Sequence, residues 1–390
     1  MSIRPAAAAQ MQNIVIVGNG IAGVTAADTL RSVGFDGEIT LIGDEPHPAY
    51  SRPALSKALL RDEEYVSSHL LPPPMHGAKE RLGVRVVELD VTRRGLVLDD
   101  GDRVSFDGLV IATGCRPRRL GGENADGPDQ LTLRTVEDAL LLRERIETRP
   151  SVVVIGGGPL GMEIASGALE KGCDVTVVSL DPPMGLQLGA YLSDLFVSAA
   201  LARGLRLVRS GAAGLERSGN GTRVMLSDGT TLEADVVVTA VGDVPNVEWL
   251  ASSGLLRDGI LVADERGEVA PGIVAAGDVA AVPTPLGLRR VPLWNSAIES
   301  ARVAASHLVS ADVDQVTAHP YFWTEQFGLS LKAVGHAPFA GEPVIVDGSA
   351  EEGRLLLQWP NTRAPQGGAA VAVNYRIPIP KLRSVALSRP

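Results

Sequence analysis

NIVIVGNGIAG, residues 13–23, decides the fold. An apolar, β-branched run leads into Gly18, Gly20 and Gly23 in the pattern G-x-G-x-x-G, and a helical pattern follows to about residue 32. In this context Gly18 permits the tight turn, Gly20 lets the backbone approach a pyrophosphate, and Gly23 lets helix and strand pack closely. The stretch therefore predicts a Rossmann βαβ unit, with the phosphates of a dinucleotide at the helix N-terminus.

The same plan recurs in the middle of the chain. SVVVIGGGPLG (151–161) repeats strand, glycine loop and helix, with Gly156, Gly158 and Gly161 at the matching positions. A second strand follows the helix in each copy, EITLIG (38–43) and DVTVVS (174–179). A second dinucleotide site is the natural interpretation of this repeat.

Each βαβ unit is also followed by a similar tail. Strand, Asp-Gly turn, strand and a buried apolar strand occur in this order, with the turns at Asp100-Gly101 and Asp228-Gly229. Asp-Gly supplies the positive φ that tight hairpins need. A capping-box pattern, Thr135 with Asp138, predicts a helix that leads into the second unit.

These patterns predict an α/β fold with two Rossmann-like dinucleotide-binding domains and a small α+β C-terminal domain. The expected boundaries are a discontinuous first domain at 11–115 and 246–318, a second domain at 116–245 and a C-terminal domain at 319–390.

Composition limits the classes of function. A net charge of −10 repels phosphate backbones, so nucleic acid is a poor partner. No apolar run approaches the roughly 20 residues of a membrane-spanning helix, so we expect a cytoplasmic protein without membrane association, frayed over residues 1 to about 10. The two cysteines, Cys115 and Cys173, form no C-x-x-C pair, and small apolar filler is the favoured interpretation of both. The six histidines show no spacing typical of ligands, and no metal site is expected.

Acidic residues at the ends of the second strands indicate the ribose contacts. Asp44, with Glu45 in reserve, lies about 20 residues beyond the first glycines, where a carboxylate accepts hydrogen bonds from ribose hydroxyls. In the second unit Ser179 stands at this place, and the strand end carries no arginine to accept a 2′-phosphate. The choice between NADH and NADPH therefore stays open.

Separated motifs give the chain a resemblance over nearly its whole length. They are GNGIAG (18–23), GDEPHPAYSRPALSK (43–57), LVIATGCRPR (109–118), GGGPLGMEIA (156–165), TAVGDVPN (239–246), GIVAAGDVA (272–280) and YFWTEQFG (321–328). The chain resembles the FAD-dependent NAD(P)H:ferredoxin reductases of oxygenase systems, the putidaredoxin and rubredoxin reductase type, which are related to apoptosis-inducing factor. The resemblance implies FAD in the first unit and NADH or NADPH as co-substrate in the second.

The resemblance also implies roles for residues at matching positions. Arg52 and Lys57 match basic residues that lie against the flavin and its pyrophosphate, and Glu163 matches the acid that pairs with that lysine across the two domains. Lys57 and Glu163 are the expected catalytic residues. Further positions match the flavin side of the family: Ala112, Thr113, Gly114, Asp278, Trp294 and Trp323. Asp278 matches an acid that orients the flavin's ribityl chain at a helix N-terminus, and Trp294 stands where the family begins its flavin-side helix. For Trp323, plain core packing is the competing interpretation.

Departures from the family pattern fall mostly in the nicotinamide unit. Pro159 stands where the family often has a bulkier residue that covers the flavin, Ser179 replaces the usual acid, and Ser300-Ala301 replaces Gln-Gly. The C-terminus, IPIPKLRSVALSRP (377–390), is also unlike the family's.

The expected function is hydride transfer from NAD(P)H to FAD, followed by release of single electrons to a ferredoxin-type iron-sulfur protein that serves an oxygenase. The alternatives are a specialised biosynthetic flavoenzyme and a slow-turnover FAD-binding module of the apoptosis-inducing-factor type. A thiol-dependent disulfide reductase is disfavoured, because this chain has no cysteine in the Tyr50-Ser51-Arg52 region. A membrane quinone reductase is disfavoured, because the C-terminus of this chain lacks an amphipathic basic helix with aromatic anchors.

The expected partner is an acidic ferredoxin, and the chain is expected to be a monomer or homodimer. Five arginines form a candidate basic rim for this partner: Arg116, Arg118, Arg119, Arg289 and Arg290. A solvated arginine face is an equally good interpretation of them.

Overall fold

The computed structural model describes residues 11–61, 66–74, 77–121, 130–148, 150–219, 221–309, 320–360 and 368–388. The expected frayed start (1–10) and the expected domain boundary at 318/319 lie outside these residues. The α-helices in the described ranges are α1 (Ile21–Ser32), α2 (Ala58–Arg61), α3 (Val136–Ile146), α4 (Pro159–Glu170), α5 (Gly185–Leu188), α6 (Ala190–Ala202), α7 (Trp294–Val309) and α8 (Ile379–Leu387). In this part of the chain no helix is long and apolar enough to cross a membrane.

The strands are numbered along the chain. Its first part holds β1 (Asn13–Val17), β2 (Glu38–Gly43), β3 (Lys79–Leu82), β4 (Val86–Asp90), β5 (Gly95–Leu98), β6 (Arg103–Ser105), β7 (Gly108–Ile111) and β8 (Cys115–Pro117). The middle holds β9 (Gln130–Leu131), β10 (Ser151–Ile155), β11 (Asp174–Ser179), β12 (Arg206–Arg209), β13 (Ala212–Ser218), β14 (Gly221–Leu226), β15 (Thr231–Ala234), β16 (Val236–Thr239) and β17 (Asp243–Pro245). The last part holds β18 (Leu256–Arg257), β19 (Ile260–Leu261), β20 (Glu268–Ala270), β21 (Ile273–Ala275), β22 (Val282–Thr284), β23 (Gly287–Arg289), β24 (Tyr321–Gln326), β25 (Leu329–Val334), β26 (Val344–Ser349), β27 (Arg354–Trp359) and β28 (Ala369–Val373).

The chain divides into two compact units. The first unit contains Met1–Ser51, His69–Arg116 and Pro245–Ala318, and the second contains Arg52–Ser68, Pro117–Val244 and His319–Pro390. The second unit thus contains the short segment with Arg52 and Lys57 as well as the C-terminal segment. The three-domain boundaries expected from the sequence stay a prediction.

The first unit is built on a six-stranded sheet in the order β20-β21-β7-β1-β2-β3. From β21 to β3 every pairing is parallel. Buried parallel strands explain the continuous apolar runs of the sequence, because helices or loops cover both faces of such a sheet. One covering layer is the pair α1 and α7, whose alanine-rich faces, including Ala26, Ala27, Ala301 and Ala304, are buried against β1 and β21. A three-stranded sheet, β4-β5-β6, with the predicted turn at Asp100-Gly101, packs its apolar residues on the other face.

The second unit repeats this plan. Its parallel sheet has the order β12-β11-β10-β16-β9, and a three-stranded sheet, β13-β14-β15, carries the second Asp-Gly turn. The capping box at the start of α3 is present, because the Thr135 hydroxyl accepts from the Asp138 N–H while the Asp138 carboxylate accepts from the Thr135 N–H. Two parallel sheets, each behind one of the glycine loops, confirm the predicted α/β class.

In each unit an aspartate holds the start of the first parallel strand by hydrogen bonds. This aspartate directly precedes β7 in the first unit and β16 in the second, and the strands that it holds are β1 and β10. Asp107 accepts hydrogen bonds from the N–H groups of Gln12 and Asn13 at 2.8 and 2.9 Å. Asp235 accepts from the N–H and the hydroxyl of Ser151 at 2.8 and 2.7 Å. The repeat therefore extends to the hydrogen bonds that hold the first strand of each unit.

The C-terminal segment of the second unit forms an antiparallel sheet in the order β24-β25-β28-β27-β26. Helix α8 packs Leu382 and Ala386 into the core of this segment, beside Tyr321 and Leu356. The unusual C-terminus therefore forms a helix with basic residues, and the apolar face of this helix packs against the C-terminal sheet.

Candidate functional site

The first glycine loop lies at the carboxyl end of β1, where open α/β sheets bind their ligands. Gly18 has φ +115°, and a Cβ there would collide with the carbonyl oxygen of Ala112. A Cβ on Gly23 would collide with the Gly18 carbonyl oxygen, whereas one on Gly20 would meet nothing within 4 Å. Two glycines are thus required by packing, and the third faces the open space that a pyrophosphate would fill.

The loop also carries unspent polar groups, which fit a bound dinucleotide. Gly20 is the N-cap of α1 and gives no side-chain cap to the first turn. Both polar atoms of the Asn19 side chain are buried and find no hydrogen-bond partner in the described part of the chain. A buried polar group without a hydrogen-bond partner costs free energy of folding. The loop therefore fits a ligand whose oxygens accept hydrogen bonds from N–H groups, as those of a pyrophosphate do.

The two ribose candidates have different surroundings. Asp44 is exposed and follows directly on β2. The Glu45 carboxylate accepts a hydrogen bond from the Tyr50 hydroxyl. Because Glu45 has this partner, Asp44 is the carboxylate that can turn to a ribose hydroxyl without losing an interaction.

The residues after β7 form a second wall at the same sheet edge. Asn246 holds them, since its Nδ2 donates to the Thr113 carbonyl at 2.9 Å and its N–H donates to the Gly114 carbonyl at 3.0 Å. The Thr113 hydroxyl in turn donates to the Asn246 carbonyl at 2.8 Å. Ala112, Thr113 and Gly114 are therefore placed as a fixed backbone segment next to Gly18.

Asp278 lies close to this wall. It sits in a single 3₁₀ turn, Gly277–Val279, rather than at the start of an α-helix, and the thiol of Cys115 lies 3.7 Å from its carboxylate. Ser300 on α7 fixes the turn, because its hydroxyl accepts from the Gly277 N–H at 3.0 Å. Helix α7 begins at Trp294, as the resemblance implies. The serine that replaces the family's glutamine thus has a structural task here.

The second glycine loop repeats the geometry of the first. Gly156 has φ +117°, a Cβ on it would collide with the Ala240 carbonyl, and one on Gly161 would collide with the Gly156 carbonyl. At Gly158 the nearest atom to a Cβ would be Gln187 Nε2, 3.7 Å away. Pro159 is the first residue of α4, a position that costs no hydrogen bond because the first helical N–H groups are unpaired anyway. The loop fits a second dinucleotide.

Glu163 is the centre of a buried hydrogen-bond cluster in the second unit. Its carboxylate accepts from Lys57 Nζ at 2.8 Å and from the Ser56 hydroxyl on one oxygen. The Thr324 hydroxyl donates to the other oxygen at 2.6 Å. The pairing of Lys57 with Glu163 predicted from the resemblance is present, but both residues belong to the second unit and not to two domains. Ser56 and Thr324 were not predicted, because no spacing along the chain connects them to α4.

Trp323 and Arg52 both belong to the second unit. The Trp323 ring is partly buried, stacks on Tyr321 with ring centroids 5.7 Å apart, and has Lys57 Nζ at 5.9 Å from its centroid. Arg52 donates from Nη1 to the Arg134 carbonyl at 2.7 Å. Stacking and a cation over the ring are both compatible with a packing role for Trp323.

Four of the five arginines of the candidate basic rim already bind groups within this chain. Arg116 pairs with Glu248 at 2.7 Å, and Arg118 and Arg119 each donate to a backbone carbonyl. Arg290 donates to the Asp278 carbonyl at 3.1 Å, whereas Arg289 is exposed. Arg289 is therefore the best placed of the five for a partner.

Two dinucleotide loops on two parallel sheets define a flavin- and nicotinamide-dependent oxidoreductase. The chain matches the pyridine nucleotide-disulphide oxidoreductase family over residues 12–307 and belongs to that family. Membership confirms the predicted cofactors, FAD with NAD(P)H.

Similar proteins of known type narrow the comparison from this broad family to ferredoxin reductases. The ferredoxin–NAD(+) reductase component of the p-cumate 2,3-dioxygenase system of Pseudomonas putida is 37% identical over 337 residues, which cover 84% of this chain and 82% of that protein. The crystal structure of a ferredoxin reductase for the CYP199A2 system from Rhodopseudomonas palustris matches with a TM-score of 0.86 and 33% identity, over 93% of this chain and 91% of that one. The reductase in the covalent putidaredoxin reductase–putidaredoxin complex matches with a TM-score of 0.85 and 29% identity, over 96% and 92% of the two chains. The predicted resemblance is confirmed.

Proposed function

We propose that this chain is an NAD(P)H:ferredoxin reductase that passes electrons singly to a ferredoxin-type iron-sulfur protein serving an oxygenase. The observation that carries the proposal is the pair of complete glycine loops, each at the carboxyl edge of its own parallel sheet. Two nucleotide sites in one chain suit electron transfer between cofactors. The relatives with ferredoxin reductase activity in their names support the choice of acceptor.

The residues of the first unit bind and orient FAD in this proposal. Gly18, Gly20 and Gly23 admit the pyrophosphate, Asp44 accepts from the ribose, and Asp278 orients the chain that leads to the flavin. FAD supplies the ability to accept a hydride and to return single electrons. Binding and orientation are the protein's part, since this chemistry requires no protein acid or base. The flavin-side roles of Arg52, Lys57 and Trp323 stay predictions from the resemblance.

A thiol mechanism is not supported by the cysteines. Cys115 and Cys173 are both buried. Cys173 donates to the Ile146 carbonyl at 3.5 Å, on the side of the sheet away from the glycine loop. A redox dithiol needs two adjacent, partly exposed sulfurs, so the reaction proposed here uses none.

The proposed partner is an acidic ferredoxin, which Arg289 would attract. Opposite charges across an interface raise the association rate more than the affinity. Arg289→Glu is expected to slow ferredoxin reduction at low salt while flavin reduction by NAD(P)H is unchanged. Arg93→Glu, at a position 83% exposed in the same unit, is the matched control for a general charge effect. Equal rates for the two variants would remove Arg289 from the interface. A cytoplasmic location and a monomeric or homodimeric state stay predictions.

The function itself is tested by cytochrome c reduction driven by NADH or NADPH, with and without added [2Fe–2S] ferredoxins. We expect turnover to depend on the ferredoxin. Absence of this dependence with every ferredoxin tried would contradict the proposal.

The slow-turnover alternative rests on Pro159 and Ser179 in the second glycine unit. Stopped-flow flavin reduction separates the two functions. Reduction over minutes at saturating NADH and NADPH would favour a binding module, whereas reduction within a second supports the reductase.

A further inference from the structure

The parallel ladder of the second unit places a cation beside the expected ribose contact. Ser179, the last residue of β11, lies directly opposite Arg209, the last residue of β12. The strand end of Ser179 itself carries no arginine, and Arg209 lies 30 positions further along the chain. In the first unit the same ladder position pairs Gly43 with Leu82, and the acids Asp44 and Glu45 follow.

Arg209 is held in place with most of its donors uncommitted. Its Nε and Nη2 donate to the carbonyl of Leu180, the residue after Ser179, at 3.3 and 3.1 Å. A guanidinium has five N–H donors, so three remain. Over the described ranges no carboxylate lies within 4.0 Å of Arg209, in contrast to Arg206 on the same strand, which pairs with Asp174 at 2.9 Å. An exposed, anchored guanidinium without an acidic partner is suited to bind an anion.

The turn that follows Ser179 lies against the glycine loop. A Cβ on Gly157 would be 2.6 Å from the Ser179 hydroxyl oxygen, and the Met184 N–H donates to the Gly157 carbonyl at 2.7 Å. The nucleotide whose pyrophosphate lies on this loop therefore extends its adenosine ribose toward Ser179. A carboxylate there would repel a phosphate on the ribose, whereas the Ser179 hydroxyl carries no charge and, by giving up its hydrogen bond to the Asp181 carbonyl at 2.8 Å, can donate to one.

We propose that Arg209 and Ser179 bind the 2′-phosphate of NADPH and make this chain prefer NADPH to NADH. The inference rests on the proposed function, because it takes the second glycine loop as the nicotinamide site. Guanidinium and phosphate match in shape and charge, and a 2′-phosphate carries up to two negative charges. Asp181 is the one carboxylate in this turn; its side chain is exposed, and its backbone carbonyl accepts a hydrogen bond from the Ser179 hydroxyl at 2.8 Å.

The test is titration calorimetry of the FAD-loaded full chain with 2′,5′-ADP and with 5′-AMP, which differ only in the 2′-phosphate. We expect 2′,5′-ADP to bind at least about tenfold more tightly, with an advantage that shrinks as salt is raised. Arg209→Gln is expected to remove about tenfold from 2′,5′-ADP affinity and to leave 5′-AMP within twofold. Arg206→Gln, the matched control on β12, changes neither affinity, because Arg206 is spent on Asp174 and the Thr176 hydroxyl.

A second variant reports on the other residue. Ser179→Glu is expected to reverse the preference, since the new carboxylate accepts from the ribose hydroxyls and repels the phosphate. Equal affinity of the unaltered chain for 2′,5′-ADP and 5′-AMP, or a loss of both nucleotides together in Arg209→Gln, would overturn the inference. Neither result touches the proposed function, which fails on ferredoxin dependence and not on nucleotide affinity.

Discussion

Glu163 and Lys57 form a nearly dry ion pair: Oε2 and Nζ are 2.8 Å apart, and the two side chains are 6% and 14% exposed. Helix α4 supplies the acid and the short segment before α2 supplies the base. Two hydroxyl donors, Ser56 and Thr324, complete the acid's surroundings. A buried carboxylate is tolerated only when it is paired and hydrogen-bonded in this way.

Glu163→Gln is therefore expected to be strongly destabilising. The amide keeps the shape but leaves the Lys57 ammonium without a counter-charge in a poorly hydrated place, which costs about 3 kcal/mol in the free energy of unfolding. Urea denaturation measures this cost. The double variant Lys57→Met with Glu163→Gln should recover part of the loss, because no unpaired charge remains.

Glu170 offers the matched control on the same helix. Its carboxylate is 44% exposed and lies 3.8 Å from Arg61. Exposed pairs contribute little, so Glu170→Gln should cost less than about 1 kcal/mol. Equal losses in Glu163→Gln and Glu170→Gln would show that the Lys57–Glu163 pair is as well hydrated as a surface pair.

Thr324→Val tests the third donor. Valine has nearly the shape of threonine but cannot donate to Glu163 Oε1, and it also removes the acceptor for Gln326 Nε2 at 2.9 Å. Unpaired buried polar atoms cost about 1–3 kcal/mol each, so a loss in that range is expected in urea denaturation. Thr324→Ser keeps the hydroxyl and should retain most of the stability. A Val variant as stable as the Ser variant would contradict the contribution of this hydrogen bond.

The sequence predicts those parts of the site that are local in the chain. Both glycine loops, the capping box at Thr135 and the Asp-Gly turns follow from spacing, because each motif is formed by residues within a few positions. The contacts of Asn246 with Thr113, of Thr324 with Glu163 and of Arg209 with Leu180 join segments about 30 to 160 residues apart. Only the register of the folded sheets brings such segments together, so a single sequence carries no signal for them.

Gly20→Ala separates ligand binding from folding. Gly20 has open space where a Cβ would be placed, and its φ of −95° is accessible to alanine. The fold should therefore be unaffected, while the methyl group intrudes where the pyrophosphate approaches. We expect FAD affinity to fall by about tenfold or more, measured by flavin retention on dialysis and by fluorescence titration of the apoprotein.

Gly18 and Gly34 provide the comparisons for this variant. Gly18→Ala combines a φ of +115° with a collision at the Ala112 carbonyl, so it should impair folding as well as FAD binding. Gly34→Ala, at φ +90° with no atom within 4 Å, should cost about 1 kcal/mol of stability and leave FAD bound. Unchanged FAD affinity in Gly20→Ala would show that the backbone at this position does not contact the cofactor.

Ser151→Ala tests the hydrogen bonds between Ser151 on β10 and Asp235, which directly precedes β16, through the pH dependence of the free energy of unfolding. The Ser151 hydroxyl, followed by the Ser151 N–H, lowers the pKa of Asp235 below its ordinary value of 3.8. A group with a lowered folded pKa stabilises the protein above its unfolded pKa, and this stabilisation is lost as the pH falls through the folded value. The stability difference between the unaltered chain and Ser151→Ala should thus be constant from neutral pH to about pH 5 and shrink below about pH 4. Because Asp235 is exposed, the difference should be less than about 1 kcal/mol.

Urea denaturation at pH 7, 5 and 3.5 measures this stability difference, with Ser151→Thr as the variant that keeps the hydroxyl. A difference that grows on acidification would mean that the serine acts through packing on β10 rather than through the carboxylate.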